Sequence, residues 1–163
     1  MSKPFLITFL VALLVIGAGI WVVFDRQKGN HIDPQGSVLK VRTVKLDDGN
    51  SAAVVEVRMS NDSDFPLVAR NIEMSAVTKS GQPQGNVIAE VDVKDLYKNF
   101  PALGEQFNPV LKVRDKVPPH SSIDREICAQ FAIPIEELDQ RKDLIARVQD
   151  VTGPTAEMHE KRH

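Results

Sequence analysis

The chain has 163 residues, and its 20 Lys and Arg residues nearly balance its 22 Asp and Glu residues, giving a formal net charge of −2 at pH 7. This length allows one ordinary domain and one accessory segment. The near-neutral charge and the absence of a basic stripe interleaved with aromatic residues argue against nucleic acid as a partner. The single cysteine, Cys128, permits no internal disulfide, so it does not indicate a redox compartment.

The accessory segment is the uncharged, apolar stretch Pro4–Phe24. As a helix rising about 1.5 Å per residue, it is long enough to cross a hydrocarbon core of about 30 Å. Trp21 suits the lipid interface, and Arg26 and Lys28 follow at the headgroup level. We therefore predict that residues 1–24 form a transmembrane signal-anchor. The alternative is a cleaved secretory signal, which normally has a shorter apolar stretch and a clearer cleavage site.

The side of the membrane is harder to assign from charge, because Lys3 precedes the apolar stretch while Arg26 and Lys28 follow it. An apolar segment that starts at the fourth residue has the layout of a signal-anchor, and long domains translocate largely regardless of their charge. We therefore expect the C-terminal domain to be extracytoplasmic, in the periplasm or at the cell surface.

A polar tether, residues 25–36, leads to a domain that we place at residues 37–152. Within it, apolar residues recur with a period of two, and Gly, Pro and Asn turns separate the runs. A short helix, IEELDQRK, follows Pro134 and precedes the last strand. The seven predicted strands are Ser37–Lys45, Ser51–Met59, Ala69–Lys79, Asn86–Val93, Val110–Val113, Ile123–Ile133 and Leu144–Val151.

Strands that each have one apolar face, without a strand-helix-strand rhythm, predict two packed antiparallel sheets. The fold class is therefore all-β, a seven-stranded sandwich of the immunoglobulin or fibronectin kind preceded by one transmembrane helix. The stretches VVEVRMSNDSDFPLVARNIEMSAVTKSGQPQG and VPPHSSIDREICAQF resemble the FxLYD and LEA14-like group of extracytoplasmic β-sandwich domains. This resemblance implies an envelope-attached binding or structural module without catalytic residues.

The letters HEKRH at the C-terminus satisfy the H-E-x-x-H zinc signature, with His159 and His163 as ligands and Glu160 as general base. A zinc hydrolase carries this motif on a long helix, whereas here Thr152-Gly153-Pro154 separates it from the last predicted strand. We expect residues 153–163 to be a polar tail, and we predict no metal site, cofactor or catalytic residue. A membrane-tethered zinc hydrolase remains the alternative from another functional class.

The long connection Asp95–Pro109 carries Tyr97, Phe100 and Phe107, with Leu103 between them. These residues either cover the core or form an apolar surface for a partner, since aromatic residues concentrate at the centres of interfaces. The resulting hypothesis is a non-enzymatic module for protein binding or envelope assembly, whose partner is another membrane or envelope protein. A passive structural spacer is the other alternative, and nothing in the sequence indicates a small-molecule substrate.

Overall fold

The computed structural model describes residue 9, residues 12–22 and residues 34–160. The chain divides into two units, Met1–His31 and Ile32–His163. In the first unit, residues 12–22 are helical and form α1. No helix among the described residues combines the length and the apolar character that crossing a bilayer requires. Much of the predicted anchor, Pro4–Phe24, lies outside the described residues, as does most of the predicted tether.

In its described residues, the second unit has eight strands, two α-helices and one 3-10 helix, Pro101–Leu103. The helices are α2, Glu90–Asn99, and α3, Ile135–Asp139. The strands are β1 Gln35–Lys45, β2 Ser51–Asn61, β3 Leu67–Val77, β4 Gln84–Val87, β5 Lys116–Val117, β6 Ser121–Phe131, β7 Asp143–Asp150 and β8 Thr155–His159.

The strands follow one another in the order β1-β2-β6-β4-β3-β7-β8, and β5 pairs with β3 beside this path. Each named pairing is antiparallel. The short strand β4 pairs with both β6 and β3, so it joins the layer β1-β2-β6 to the layer β3-β7-β8. The result is a nearly closed sandwich in which β1 and β8, the two ends of the path, pack together through Gly36 and Met158.

The core of the sandwich lies between these layers. It contains inward-facing residues at a spacing of two, for example Val55 and Val57 of β2 and Met74 and Ala76 of β3, together with the largest core side chain, Phe131. Side chains that face inward at every second position are what two packed sheets require. The predicted antiparallel β-sandwich is therefore confirmed at the level of fold class, and α3 lies where the sequence predicts a short helix.

Two of the predicted strands are wrong. The strand predicted at Asn86–Val93 ends at Val87, and α2 begins three residues later. Val93 and Leu96 are both buried, and this spacing of three fits one face of a helix. The predicted strand Val110–Val113 is reduced to one bridge between Val110 and Glu126, and the adjacent residues Val110 and Leu111 are buried in different clusters.

The predicted polar tail, residues 153–163, is also wrong in part. Residues 155–159 form β8, which pairs with β7. Ala156 and Met158 are each 1% exposed and alternate with exposed neighbours, so this strand has one core-facing side. The strand β1 likewise starts inside the predicted tether, at Gln35.

Candidate functional site

The strand β2 is apolar on both faces. Ala53, Val55 and Val57 face the sandwich core, whereas Ala52 and Val54 face the opposite side and are equally buried. A second layer therefore has to cover this outer face, and α2 with the chain that follows it does so. The members of this second apolar cluster are Ala52, Val54, Val93, Leu96, Leu103, Val110 and Cys128, with Tyr97 and Phe100 partly buried against them.

The structure separates the four residues predicted as a contact surface into two groups. Leu103 is 2% exposed, and Tyr97 and Phe100 are half-buried against the outer face of the β2–β6 pair. Phe107, in contrast, is 62% exposed. Three of the four residues thus belong to the covering layer, and only Phe107 is available on the surface.

An arginine of β1, Arg42, whose side chain is only 11% exposed, fastens this covering layer to the sheet. Its Nη1 donates to the backbone carbonyls of Leu103 at 2.6 Å and Glu105 at 2.8 Å. Its Nη2 lies 2.9 Å from the hydroxyl oxygen of Tyr97. The same Nη2 lies 2.9 Å from Glu126 Oε1 and 3.1 Å from Glu56 Oε1. One guanidinium therefore links two strands, α2 and the chain that follows the 3-10 helix.

Glu126 of β6 is fully buried, and each of its carboxylate oxygens accepts a hydrogen bond from the covering layer. Oε2 accepts the hydroxyl of Tyr97 at 2.9 Å, and Oε1 accepts the backbone amide of Phe107 at 3.2 Å. Buried charges are tolerated when they are paired and hydrogen-bonded in this way. Glu56 is also nearly buried and pairs with the same arginine. The cluster therefore has two carboxylates and one guanidinium.

Burial and Glu126 change the acidity of two neighbouring groups. Burial, together with the hydrogen bond to Glu126, raises the pKa of the Tyr97 hydroxyl well above its ordinary value. Burial, together with the charge of Glu126, raises the pKa of the Cys128 thiol to about 12. The sequence leaves the exposure of Cys128 open, and the structure places it under α2 as a neutral, fully buried side chain.

Phe107 is exposed but held at both its backbone and its ring. Its amide donates to Glu126, and its ring lies near two cations. The Nζ of Lys40 is 5.3 Å from the ring centroid, and the Cζ of Arg42 is 5.4 Å from it. Contacts of this length fall within the range of cation–π attraction. The ring is therefore presented to solvent in a defined position.

Two grooves flank α2. The first has a volume of 340 Å³ and lies against β3, with Ile72, Leu111 and the exposed side chains of Val91 and Val113 on its walls. The second has a volume of 500 Å³ and lies on the other side. It is lined in part by Leu46, Asn86, Asp92, Leu96 and Phe100. The helix thus covers the sheet without being enclosed at its sides.

The histidine motif at the C-terminus has a different geometry from a zinc-binding helix. His159 ends β8, where its Nδ1 lies 2.5 Å from Oδ2 of Asp143. The carboxylate of Glu160 instead receives two hydrogen bonds, at 2.7 and 2.8 Å, from the buried side chain of Arg141. His163 lies outside the described residues. Among those described, no group of three or more His, Cys, Asp and Glu side chains is arranged to hold a metal ion.

Sequence reasoning missed Arg42, Glu56 and Glu126, although one signal was present. In SAAVVEV, from Ser51 to Val57, the apolar residues do not alternate with polar ones. The structure buries every residue of this run. Such a run is typical of a strand that is covered on both faces. A glutamate inside it predicts a buried cationic partner, but only the strand register shows that the partner is Arg42.

No protein-family model matches the sequence, and no curated protein matches it. Two solved structures are similar in fold. The archaellum periplasmic stator protein FlaG from Sulfolobus acidocaldarius is 9% identical, with a TM-score of 0.36 over 78% of this chain and 99% of that chain. An uncharacterized β-sandwich protein from Clostridium difficile 630 is 13% identical, with a TM-score of 0.34 over 80% of this chain and 82% of that chain. These similarities concern the fold alone.

Proposed function

We propose that this protein is a non-enzymatic β-sandwich module that binds another protein through a surface centred on Phe107. The observation that carries the proposal is the combination of exposure and fixation at this residue. The side chain is 62% exposed, while its amide is tied to the buried carboxylate of Glu126.

A fixed aromatic side chain is a favourable anchor for binding. Ordering a side chain at an interface costs about 0.5–1.5 kcal/mol, so an anchor that is already ordered loses less of its interaction energy. Burying a Phe ring in a partner pocket removes a large apolar area from water. Residues of this kind dominate the affinity of many interfaces, although they form a small part of the contact area.

The surroundings of Phe107 indicate the chemistry of the partner. Lys40 is exposed and lies over the ring, whereas the charge of Arg42 is already neutralised by Glu56 and Glu126. The charges of Arg42, Glu56 and Glu126 sum to a formal −1, but these side chains are largely buried, so the exposed charge beside the ring is the positive charge of Lys40. We expect the partner to offer an apolar pocket that receives the ring and a carboxylate beside it that pairs with Lys40.

Membrane attachment through Pro4–Phe24 forms a second part of the proposal. The apolar character of the segment supports it, as does the exposure of the described side chains of α1, for instance Leu14 at 73% and Trp21 at 67%. Exposed apolar surface on this scale is typical of a segment that contacts lipid or another protein. The domain would then be extracytoplasmic, and its partner another membrane or envelope protein.

The immunoglobulin-like assignment of the sandwich also belongs to this proposal. In that fold, strands A, B, E and D form one sheet and strands C, F and G form the other. The order found here matches if β1, β2, β3, β4, β6, β7 and β8 take the places of A to G. Loops and outer faces of such sandwiches often carry binding surfaces, because the core is occupied by packing.

The proposal is tested by crosslinking in intact cells. A photoreactive phenylalanine analogue is placed at position 107 and, as a matched control, at Phe65, which is 47% exposed on a different loop. We expect one principal crosslinked protein at position 107 that is absent at position 65 and is reduced when Lys40→Glu is introduced. Identical products at both positions would favour a passive spacer. A product specific to position 107 that Lys40→Glu does not reduce would contradict the proposed pairing of Lys40 with a carboxylate of the partner.

A further inference from the structure

We propose that residues 90–108, here termed the lid, swing away from the β2–β6 pair as a unit while the sandwich stays folded, and that Arg42, Glu126 and Tyr97 form the latch that keeps the lid closed. This device is separate from the identity of any partner that binds at Phe107. Four features of the structure carry the inference.

Backbone–backbone hydrogen bonds between the described residues hold the lid to the sandwich only at its two ends. The amide of Ile88 donates to the carbonyl of Cys128 at 2.8 Å, and the carbonyl of Pro109 accepts the amide of Glu126 at 2.9 Å. Within the described residues, the backbone–backbone hydrogen bonds of the lid reach no further than Ala89, just before α2. The lid can therefore move without breaking a strand pair.

The core of the sandwich does not depend on the lid. Its apolar cluster includes residues from β2, β3, β6, β7 and β8, but none from residues 90–108 in the part of the chain that the structure describes. The lid residues Val93, Leu96 and Leu103 instead belong to the second cluster, on the outer face of the sheet. Opening would therefore disrupt this outer cluster and leave the core packed.

The polar contacts between lid and sheet converge on a few groups. Arg42 donates to the carbonyls of Leu103 and Glu105 and to the hydroxyl of Tyr97. Glu126 accepts hydrogen bonds from Tyr97 and from the amide of Phe107. Weakening one member of this network weakens several lid contacts at once, because they share the same guanidinium and the same carboxylate.

The sides of the lid leave space for movement. The groove of 340 Å³ flanks the start of α2 and the groove of 500 Å³ runs along the helix to Asn99, so the helix has open space on both sides. Regions that open locally are those with few buried contacts to the rest of the molecule. Opening exposes the apolar outer face of β2 and β6 at Ala52, Val54 and Cys128.

Cys128 reports the opening, because it is the single cysteine and lies under the lid. The full-length chain, in detergent micelles, is treated with an excess of a thiol reagent in native buffer and at several low urea concentrations. We expect the labelling rate of Cys128 to depend only weakly on the urea concentration. A weak dependence indicates an opening that exposes much less surface than global unfolding does. A urea dependence equal to that of global unfolding, in the wild type and in the variant Tyr97→Phe alike, would overturn the proposal.

Tyr97→Phe removes one hydroxyl from the latch at nearly constant volume. We expect it to raise the labelling rate about 10- to 100-fold, since it removes the donor that Tyr97 supplies to Oε2 of the buried Glu126 carboxylate. The matched control is Arg58→Met, which breaks the pair between the exposed Arg58 and the partly exposed Asp124 on the same two strands. An equal increase in both variants would contradict a latch at Tyr97.

Amide hydrogen exchange separates lid opening from general loosening. In Tyr97→Phe, we expect faster exchange in residues 90–108 and unchanged exchange in β3 and β7, which lie in the other layer. Uniformly faster exchange throughout the sandwich would mean that the Tyr97 hydroxyl stabilises the whole fold. That result would overturn the proposal that the lid opens as a unit.

Discussion

Glu56 and Glu126 are directly opposite one another in the antiparallel register of β2 and β6, and Nη2 of Arg42 lies 3.1 and 2.9 Å from their carboxylates. Like charges at opposite positions of a strand pair repel each other, and burial strengthens the repulsion. The guanidinium between them is therefore what makes this pairing tolerable. It also fixes Phe107, because Glu126 binds the amide of that residue.

The first prediction concerns Arg42→Met, which leaves two buried carboxylates without their cation. We expect the free energy of unfolding to fall by about 3–5 kcal/mol, the usual cost of removing one partner of a buried ion pair. Urea denaturation of the full-length chain measures this loss. Arg58→Met serves as the control, since its exposed ion pair should be worth at most about 1 kcal/mol.

Combining Arg42→Met with Glu56→Gln and Glu126→Gln should recover part of the lost stability, because the neutral amides no longer repel each other. If Arg42→Met were no more destabilising than Arg58→Met, the charge balance described for this cluster would be incorrect.

The second prediction concerns close packing at Gly85. A Cβ built on this residue would lie 2.7 Å from Cζ of Phe131 and 3.0 Å from the Cβ of Ala129. Gly85→Ala should therefore cost about 1–3 kcal/mol by overpacking the core. Gly49→Ala is the matched control, because its nearest neighbour would be Oδ1 of Asp47 at 3.9 Å. Equal urea midpoints for the two variants would show that the core can accommodate the extra methyl group.

The third prediction concerns acid stability at Asp150. Burial alone would raise the pKa of this carboxyl, but hydrogen bonds from Thr152 and from the backbone of Val68 and Val151 hold it below its usual range. The pKa of Asp150 is lower in the folded protein than in the unfolded chain, where it is about 3.9. The stabilisation is therefore present at pH values above about 3.9 and disappears as the pH falls through the pKa of the folded protein. The difference in unfolding free energy between wild type and Asp150→Asn should be positive at pH 7 and shrink at pH 3. A difference that stays constant with pH would contradict this assignment.

The fourth prediction concerns His159. The hydrogen bond that the imidazole donates to Asp143 is the main reason that the pKa of His159 is raised, and the charges of Asp143 and Glu157 add to the effect while burial opposes it. The pKa of His159 is higher in the folded protein than in the unfolded chain, where it is about 6.5. The stabilisation is therefore complete at pH values below about 6.5 and is lost as the pH rises through the pKa of the folded protein. Because the side chain is half exposed, we expect less than about 1 kcal/mol.

This fourth effect is measured by urea denaturation of wild type and His159→Gln at pH 5.5 and pH 9. The wild type should be the more stable protein at the lower pH, and the two should be nearly equal at the higher pH. A larger difference at pH 9 would show the opposite linkage and exclude the ion pair.

Much of the sandwich follows from local patterns in the sequence. In β2 and β3, inward residues such as Val55 and Met74 recur with a period of two, and each strand ends at turn residues. The pattern failed at residues 86–93, where Val87, Val91 and Val93 fit a strand as well as they fit a helix. The acidic residues in the first turn of α2 and the buried pair Val93 and Leu96 favour the helix.

The candidate site was less accessible from the sequence, because its members come from distant parts of the chain. Arg42, Glu56 and Glu126 meet only through the pairing of β1, β2 and β6. Phe107 was identified by its residue type, but its exposure depends on how the lid packs. The same aromatic composition in Tyr97 and Phe100 gave a half-buried layer instead. The amino-acid composition locates the aromatic segment in the sequence. The packing of the lid on the paired strands decides which of its aromatic side chains reaches solvent.

The most direct measurement of the central claim is the affinity of the full-length chain for the protein that crosslinks at position 107. Wild type, Phe107→Ala and Phe65→Ala are titrated against that purified protein under identical conditions. We expect Phe107→Ala to bind at least about tenfold more weakly and Phe65→Ala to bind like the wild type. Equal affinities for Phe107→Ala and wild type would contradict the account.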